Sequence, residues 1–418
     1  MKIPGKYYAI AIFSLFAVAF TLFQLLVKPN KDFDIFIQAS QLIYNKQNCY
    51  DIWLVSAGEG LKYFYSPLFA VLLFPLKDAS QLVYDLVWLI LNYILVWRIF
   101  DLISFFLPTY KLRSNKKKWF WFFCVAAMGR YIFDNLDLGQ MTFILVWGSL
   151  ESMRLVQEKK LWQGAAILAL IINFKIIPLT LLVYLLYKKE FKAAGFTILF
   201  LMVYLFLPGI VLGFKFNTML LHNWYATLSD ASSNSIVEDV GRQSLSALIP
   251  ALFMNTPVQF STQRNIVDLS PETVKMILLA ARCFILLVVV LLISRPFKII
   301  SSPKNLIFDI GVICLVTPLF FPHQGKYSFL YLLPAYTYCI FTLMEMSQLK
   351  TEDRDKRWYG MALGFIILSF ILSTLTTDGL IGRNYSNLAE YLHFITFGAI
   401  SLLICMTILR PKTDQKVP

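Results

Sequence analysis

The chain alternates long apolar runs with short polar stretches. Residues 7–27 include about 20 uncharged positions, enough to cross a hydrocarbon core of about 30 Å at about 1.5 Å per helical residue. Lys2 and Lys6 precede this run and no small-residue cleavage site follows it, which predicts a retained first helix with its N-terminus in the cytoplasm. Further runs lie near 80–107, 119–137, 141–157, 162–187, 193–213, 273–294, 305–321, 328–347, 358–375 and 389–409. Together they predict an all-α polytopic membrane protein, a single integral-membrane domain over residues 1–418 with about ten to twelve transmembrane helices.

Two stretches break the regular pattern. Residues 65–76 make a helix of only about 18 Å, too short to span and better read as interfacial or re-entrant. Counting them as a span would also put the Lys116–Lys118 cluster outside. The run 162–187 has basic clusters at both ends and Asn173, Lys175 and Pro178 in its middle. This predicts two half-helices turning at residues 175–178, because non-helical backbone at membrane depth is tolerated where it lines a polar cavity.

Loop charge then gives an orientation. Lys111, Arg113, Lys116, Lys117 and Lys118 form a cluster without an acid, and Lys159, Lys160, Lys188, Lys189, Lys192, Arg295, Lys298, Lys304, Lys350, Arg357, Arg410 and Lys416 mark further cytoplasmic loops. The remaining loops, with large ones at 28–63 and 214–272, face outward. They carry Asp32, Asp34, Asp51, Asp134, Asp137, Asp230, Glu238, Asp239, Asp268 and Asp378, so chemistry is expected on that side.

Composition removes the alternatives. A soluble chain would be about 25% charged and about 45–50% apolar; this one is 15% charged and 58% hydrophobic, with a mean hydropathy of +0.64, which excludes an ordinary cytosolic enzyme. The net charge of +13 sits in short loop clusters, so it marks topology and no nucleic-acid partner. Six scattered cysteines show neither a disulfide framework nor metal-ligand spacing. No P-loop, dinucleotide fingerprint, zinc motif or nucleophile elbow occurs in a supporting context.

Several positions could carry chemistry. Asp32 and Asp34 open an amphipathic helix in the first outer loop, and a carboxylate desolvated at a membrane surface has the pKa and reach of a base for a sugar hydroxyl. Helix capping is the competing reading and the stronger one on spacing alone. Lys175 within an apolar run is costly, so an anion is expected beside it, unless its stem snorkels to the interface. In the turn from Phe321 to Tyr327, His323 and Lys326 could clamp a phosphate, or form an ordinary polar turn. Arg242 could pair with a phosphate or an acidic loop, and His222, Asn223, Trp224 and Tyr225 could stack on a sugar, although Trp and Tyr also belong at membrane interfaces. Gly139-Gln140 is weak alone. Asp32-x-Asp34 superficially matches the metal-binding pair of nucleotide-sugar transferases, but those act in soluble α/β domains, so no metal is expected.

The order of motifs resembles a known family. Asp32-Phe33-Asp34-Ile35-Phe36 and Tyr50 lead to Tyr63-Phe64-Tyr65-Ser66-Pro67-Leu68-Phe69-Ala70 and Pro75-Leu76, then to Gly139-Gln140, Lys175-x-x-Pro178 with Lys188-Lys189, and Gln243-Ser244-Leu245. This series resembles glycosyltransferase family 87 of the GT-C superfamily, which includes polyprenyl-phosphate-mannose-dependent α-mannosyltransferases. The likeness is strongest in residues 1–213, the more family-like catalytic half, and patchy in the variable half, 214–418. It departs from the family at Phe36, where tyrosine is common, at Ser66, where a second proline is common, and at Ile176 and Ile177, which separate the lysine from its proline.

The resemblance implies inverting transfer of a hexose, mannose above others, from a polyprenyl-phosphate sugar to a lipid-linked or glycan acceptor on the outer face of a bacterial cytoplasmic membrane. It implies Asp32 as general base with Asp34 as backup, and matches His323 to an outer histidine of some relatives. The residues themselves add Lys175, Arg242, His323 and Lys326 as phosphate partners, with Tyr65 and Gln140 as further substrate-binding candidates, and the chemistry requires no cofactor. Membrane lipids are the other expected partners. A transporter or flippase for a lipid-linked sugar, or a glycan polymerase or ligase, would need similar buried charges and broken helices. The concentration of acids in one outer loop near the N-terminus favours the transferase over the carrier.

Overall fold

The computed structural model describes residues 14, 15, 17–24, 32–56, 59–233, 236–237, 241–256, 260, 263–293, 302–349 and 355–411. The first loop holds α1 (Phe33–Tyr44), an antiparallel hairpin of β1 (Leu54–Ser56) and β2 (Glu59–Leu61), and the short α2 (Pro67–Leu72). The bundle continues with α3 (Gln81–Phe106), α4 (Ser114–Leu138), α5 (Thr142–Gln157), α6 (Leu161–Phe174), α7 (Leu179–Tyr187), α8 (Phe191–Leu212), α9 (Phe214–Ser233), α10 (Leu245–Phe253) and α11 (Pro271–Ile293). It closes with α12 (Pro303–Phe320), α13 (Lys326–Met346, opening on a 3-10 turn), α14 (Lys356–Ser373), α15 (Arg383–Tyr391) and α16 (Phe394–Ile408).

The chain is an all-α polytopic membrane protein. Among the described residues five helices, α3, α8, α11, α12 and α13, are long and apolar enough to cross a bilayer alone; α15 and α16, bent by 63°, make a sixth if taken as one span. The other expected crossings are shorter, broken or charged helices packed among these: α5 and α16 run 16 and 15 residues, and α4 carries Arg130. The windows of α12 and α13 are 78% and 83% buried, against 22% for α8 and α11, so the former pair is the core and the latter faces lipid. Of the expected first helix, residues 14, 15 and 17–24 are helical, and Gln24 donates to Asp137 Oδ1 at 2.6 Å. The rest of that helix, with Lys2 and Lys6, lies outside the described residues, as do Glu238, Asp239, Arg295, Lys298, Lys350 and Lys416.

Two expectations about odd segments hold. Residues 65–76 form only α2 and a 3-10 turn over Phe74–Leu76. Residues 161–187 break into α6 and α7, with Lys175 in extended backbone (φ −145°, ψ 128°). Lys159 Nζ lies 3.9 Å from Glu190 Oε1, so the two halves enter and leave at the same end of the bundle.

The basic loops gather at that end. Lys116 Nζ donates to Ser347 Oγ at 2.7 Å, the Arg113 amide donates to Gln348 at 3.0 Å, and Lys304 pairs with Glu345. An apolar groove of about 360 Å³, lined by Phe123, Tyr336, Ser347, Tyr359, Ile366 and Phe370 among others, opens between α4, α13 and α14 in this half. Lys188 pins the returning half-helix: its fully buried ammonium lies 3.2 Å from Asp309 and donates to the Ile293 carbonyl at 2.9 Å, while Tyr184 Oη donates to Asp309 at 2.8 Å. Removing one partner of a buried pair leaves the other charge uncompensated. Lys188→Met should therefore destabilise the solubilised protein by about 3–5 kcal/mol, seen as a lowered thermal midpoint, and Lys188→Met with Asp309→Leu should recover most of it. An unchanged midpoint in the single variant would reject the pin.

Candidate active site

The end of the bundle opposite the basic loops brings together segments distant in sequence. Helix α1 is seated by its aromatic face: Phe33 stacks on Trp88 with centroids 4.4 Å apart, and Phe36 meets Tyr65 and Phe69 edge-on at 4.7 and 5.2 Å. This fixes Asp32, the residue before the helix. Its side chain makes no capping bond. Instead Asp32 Oδ2 accepts from Gln140 Nε2 at 2.7 Å, which removes the capping reading for this carboxylate. Asp34, two residues on, is rotated by about 200° and accepts from Tyr84 Oη at 2.7 Å. The two carboxylates thus serve different neighbours.

Gly139 explains how Gln140 reaches Asp32. It ends α4 in the left-handed region (φ +67°), and a Cβ there would meet Phe33 Cβ at 2.8 Å. Only a residue without a side chain lets the two backbones approach this closely. Trp88 Nε1 donates to the Gly139 carbonyl at 2.8 Å, and the Gln140 amide donates to Asn135 O at 3.0 Å, so the corner is held from two sides. Gln140 itself is 4% exposed.

Tyr65 is the second wall. Its carbonyl accepts from Tyr50 Oη at 2.8 Å, which is how the first loop closes on itself. Next to it Ser66 Oγ donates to Asn173 Oδ1 at 2.7 Å and caps α2 through the Phe69 amide at 3.4 Å. The serine in place of a second proline therefore ties the loop to the tip of α6. Burial, with Tyr327 and Asp32 nearby, holds the Tyr65 phenol well above its ordinary value, so it stays neutral and cannot act as a base.

Lys175 joins this wall at the break between α6 and α7. Its ammonium lies 5.6 Å from the centre of the Tyr65 ring and 5.7 Å from that of Tyr327, in cation–π range of both. Both phenols lie within electrostatic reach of Asp32, so the base candidate and the cation belong to one neighbourhood. The Arg242 guanidinium is close enough to repel Lys175 and interacts with Tyr327. Arg242 is positioned by a bridge to Gly325 and by the Gln243 amide donating to Gln324 O at 2.8 Å. Two cations with overlapping fields leave a site that favours an anion.

His323 and Lys326 sit differently. His323 (φ +53°) is exposed, and it is its carbonyl that Arg242 contacts, at 3.5 Å. Lys326 Nζ is 3.1 Å from Glu390 Oε1, a carboxylate that also pairs with the buried Arg130. Arg130 donates further to Thr376 Oγ1 at 3.0 Å and Ser373 O at 3.2 Å, so this network docks α15 against α4. Asn135 Nδ2 donates to the Tyr327 carbonyl at 2.8 Å and Gln243 Nε2 to the Glu390 carbonyl at 2.8 Å, which transmits that docking to Tyr327 and Arg242. Sequence reasoning missed Arg130, Glu390 and Tyr327. Charges within apolar runs at 130 and 390 were a usable signal; Tyr327 was hidden among the interfacial aromatics.

No group of three or more His, Cys, Asp or Glu capable of holding a metal occurs among the described residues. Chemically the cluster offers one oriented carboxylate, two cations, a neutral aromatic wall and buried amides. No curated protein and no solved structure matches the chain. Residues 63–322, well over half of its length and running through both halves, match the family model described as glycosyltransferase family 87; the match begins after Asp32 and ends just before His323.

Proposed function

Because this chain belongs to glycosyltransferase family 87, and is thus a membrane glycosyltransferase, we propose that it moves a hexose, mannose above others, from a polyprenyl-phosphate sugar to a lipid-linked or glycan hydroxyl. The acceptor oxygen attacks the anomeric carbon as the bond to the phosphate oxygen breaks, with inversion. Asp32 takes the hydroxyl proton, and the polyprenyl phosphate leaves with the bonding pair. Lys175 and Arg242 hold that phosphate and neutralise the charge that develops on it. Such a phosphate is already a good leaving group, so one base and a pair of cations suffice. Asp34, facing Tyr84, is the backup, and His323 and Lys326 line the rim on the donor side. By the charge rule the basic end is cytoplasmic, so transfer occurs on the outer face of the bacterial cytoplasmic membrane.

The observation that supports this reading is that Asp32, bonded to Gln140 and making no side-chain cap, stands at the corner where Phe36 packs on Tyr65, the ring that Lys175 shares with Tyr327. Purified protein in lipid nanodiscs, given labelled polyprenyl-phosphate mannose, glucose and galactose with octyl α-mannoside, should transfer label from the mannosyl donor. Transfer from a nucleotide sugar and from none of these donors would defeat the proposal.

A further inference from the structure

A buried acceptor group beside Asp32 bears on which hydroxyl the enzyme glycosylates. Gln140 is 4% exposed, and its Nε2 donates to Asp32 Oδ2 at 2.7 Å. An ionised carboxylate only accepts hydrogen bonds, so this contact fixes the amide: the nitrogen faces Asp32 and the oxygen faces away. That oxygen, Oε1, is buried and has no hydrogen-bond partner. Buried carbonyl oxygens in folded proteins are almost always satisfied, because a lost partner is not replaced by solvent. The Gln140 main chain cannot rotate to repair this, since its amide is bound to Asn135 O at 3.0 Å and Gly139 holds the preceding corner at φ +67°. Asn135 Oδ1 and Asn173 Nδ2, side chains that steady Tyr327 and Ser66, are likewise buried and unpartnered.

We infer that Gln140 Oε1 accepts a hydrogen bond from an acceptor hydroxyl adjacent to the one that attacks, so that the enzyme glycosylates one member of a vicinal diol. This rests on the assignment of Asp32 as base. The attacking hydroxyl donates to the Asp32 carboxylate, and the Gln140 carboxamide is bonded to that same carboxylate. The next hydroxyl on the acceptor ring lies about one hydrogen-bond length from the first, and Oε1 is the acceptor of that carboxamide still open to it. Gln140 is then a specificity-determining residue: it reads the neighbour of the reacting group.

The test uses full-length protein in nanodiscs with polyprenyl-phosphate mannose, octyl α-mannoside and its monodeoxy analogues. The linkage formed by the unaltered enzyme identifies the attacking position. Deleting one hydroxyl vicinal to it should lower kcat/KM about tenfold or more in the unaltered enzyme and by less than twofold in Gln140→Leu. Deletion at a remote position should affect both alike. An unaltered enzyme indifferent to every vicinal deletion overturns the inference whether or not the variant folds, as does linkage at the primary hydroxyl, which has no vicinal neighbour. Equal losses in the two proteins also overturn it, as does sensitivity only to the 2-deoxy donor. Absence of any transfer from the polyprenyl-phosphate donor is a different failure, that of the proposed function itself.

Discussion

Asp32→Asn should lower the rate of sugar transfer by about 10²–10⁴-fold, the range lost with a general base, while donor binding survives. The substitution suits the site because an asparagine oxygen can still accept from Gln140 Nε2, so the 2.7 Å contact and the seating of α1 persist. What disappears is the capacity to take a proton. Turnover should be followed as labelled sugar transferred per minute, and donor affinity by equilibrium binding to the same preparation. Asp34→Asn should cost far less, since its carboxylate is turned to Tyr84. Full turnover in Asp32→Asn with loss in Asp34→Asn would move the base two residues along the chain.

Donor affinity should fall about 10–100-fold in Lys175→Met, with acceptor affinity unchanged. A hydrogen bond to a charged group contributes about 1.5–3 kcal/mol, and each 1.4 kcal/mol is a factor of ten in binding. Methionine keeps the length of the stem and its packing against Tyr65 and Tyr327 while removing the ammonium. The protein itself should not lose stability, because the repulsion between Lys175 and Arg242 goes with the charge. Snorkelling makes the opposite forecast. A lysine whose head merely reaches the interface would leave donor binding intact, and undiminished affinity in the variant would reject the phosphate role.

Much of the fold could be read from charge and apolar length, because the bilayer constrains both. The basic clusters at 159–160 and 188–192 required an even number of helical passes between them, and α6 with α7, one in and one out, supplies it. The same reasoning kept residues 65–76 from being counted as a span. Runs such as α4 and α5 belong to the same bundle although one carries charge and the other is only 16 residues long, so neither is apolar and long enough to be recognised as a span by itself. At the site, Asp32 was legible as a base candidate, but spacing alone favoured a helix cap; what separates the two is the contact with Gln140, 108 residues away. The pairing of Lys326 with Glu390 was not legible either, because that carboxylate is 64 residues further on, where α15 folds back. Side-chain pairing across such separations is set by packing, which no local pattern records.

The buried tie between Lys188 and Asp309 carries a consequence for biogenesis. Helices of 14 and 9 residues are about 21 and 13 Å long, so neither half of the broken pair can be held across the bilayer by its own hydrophobicity. The hairpin settles only when α12 arrives with its aspartate, more than a hundred residues later in synthesis. Lys175 rides on the tip of that hairpin, so the anion subsite proposed for it would mature late, and a nascent chain stopped before α12 should leave the ribosome without catalytic competence.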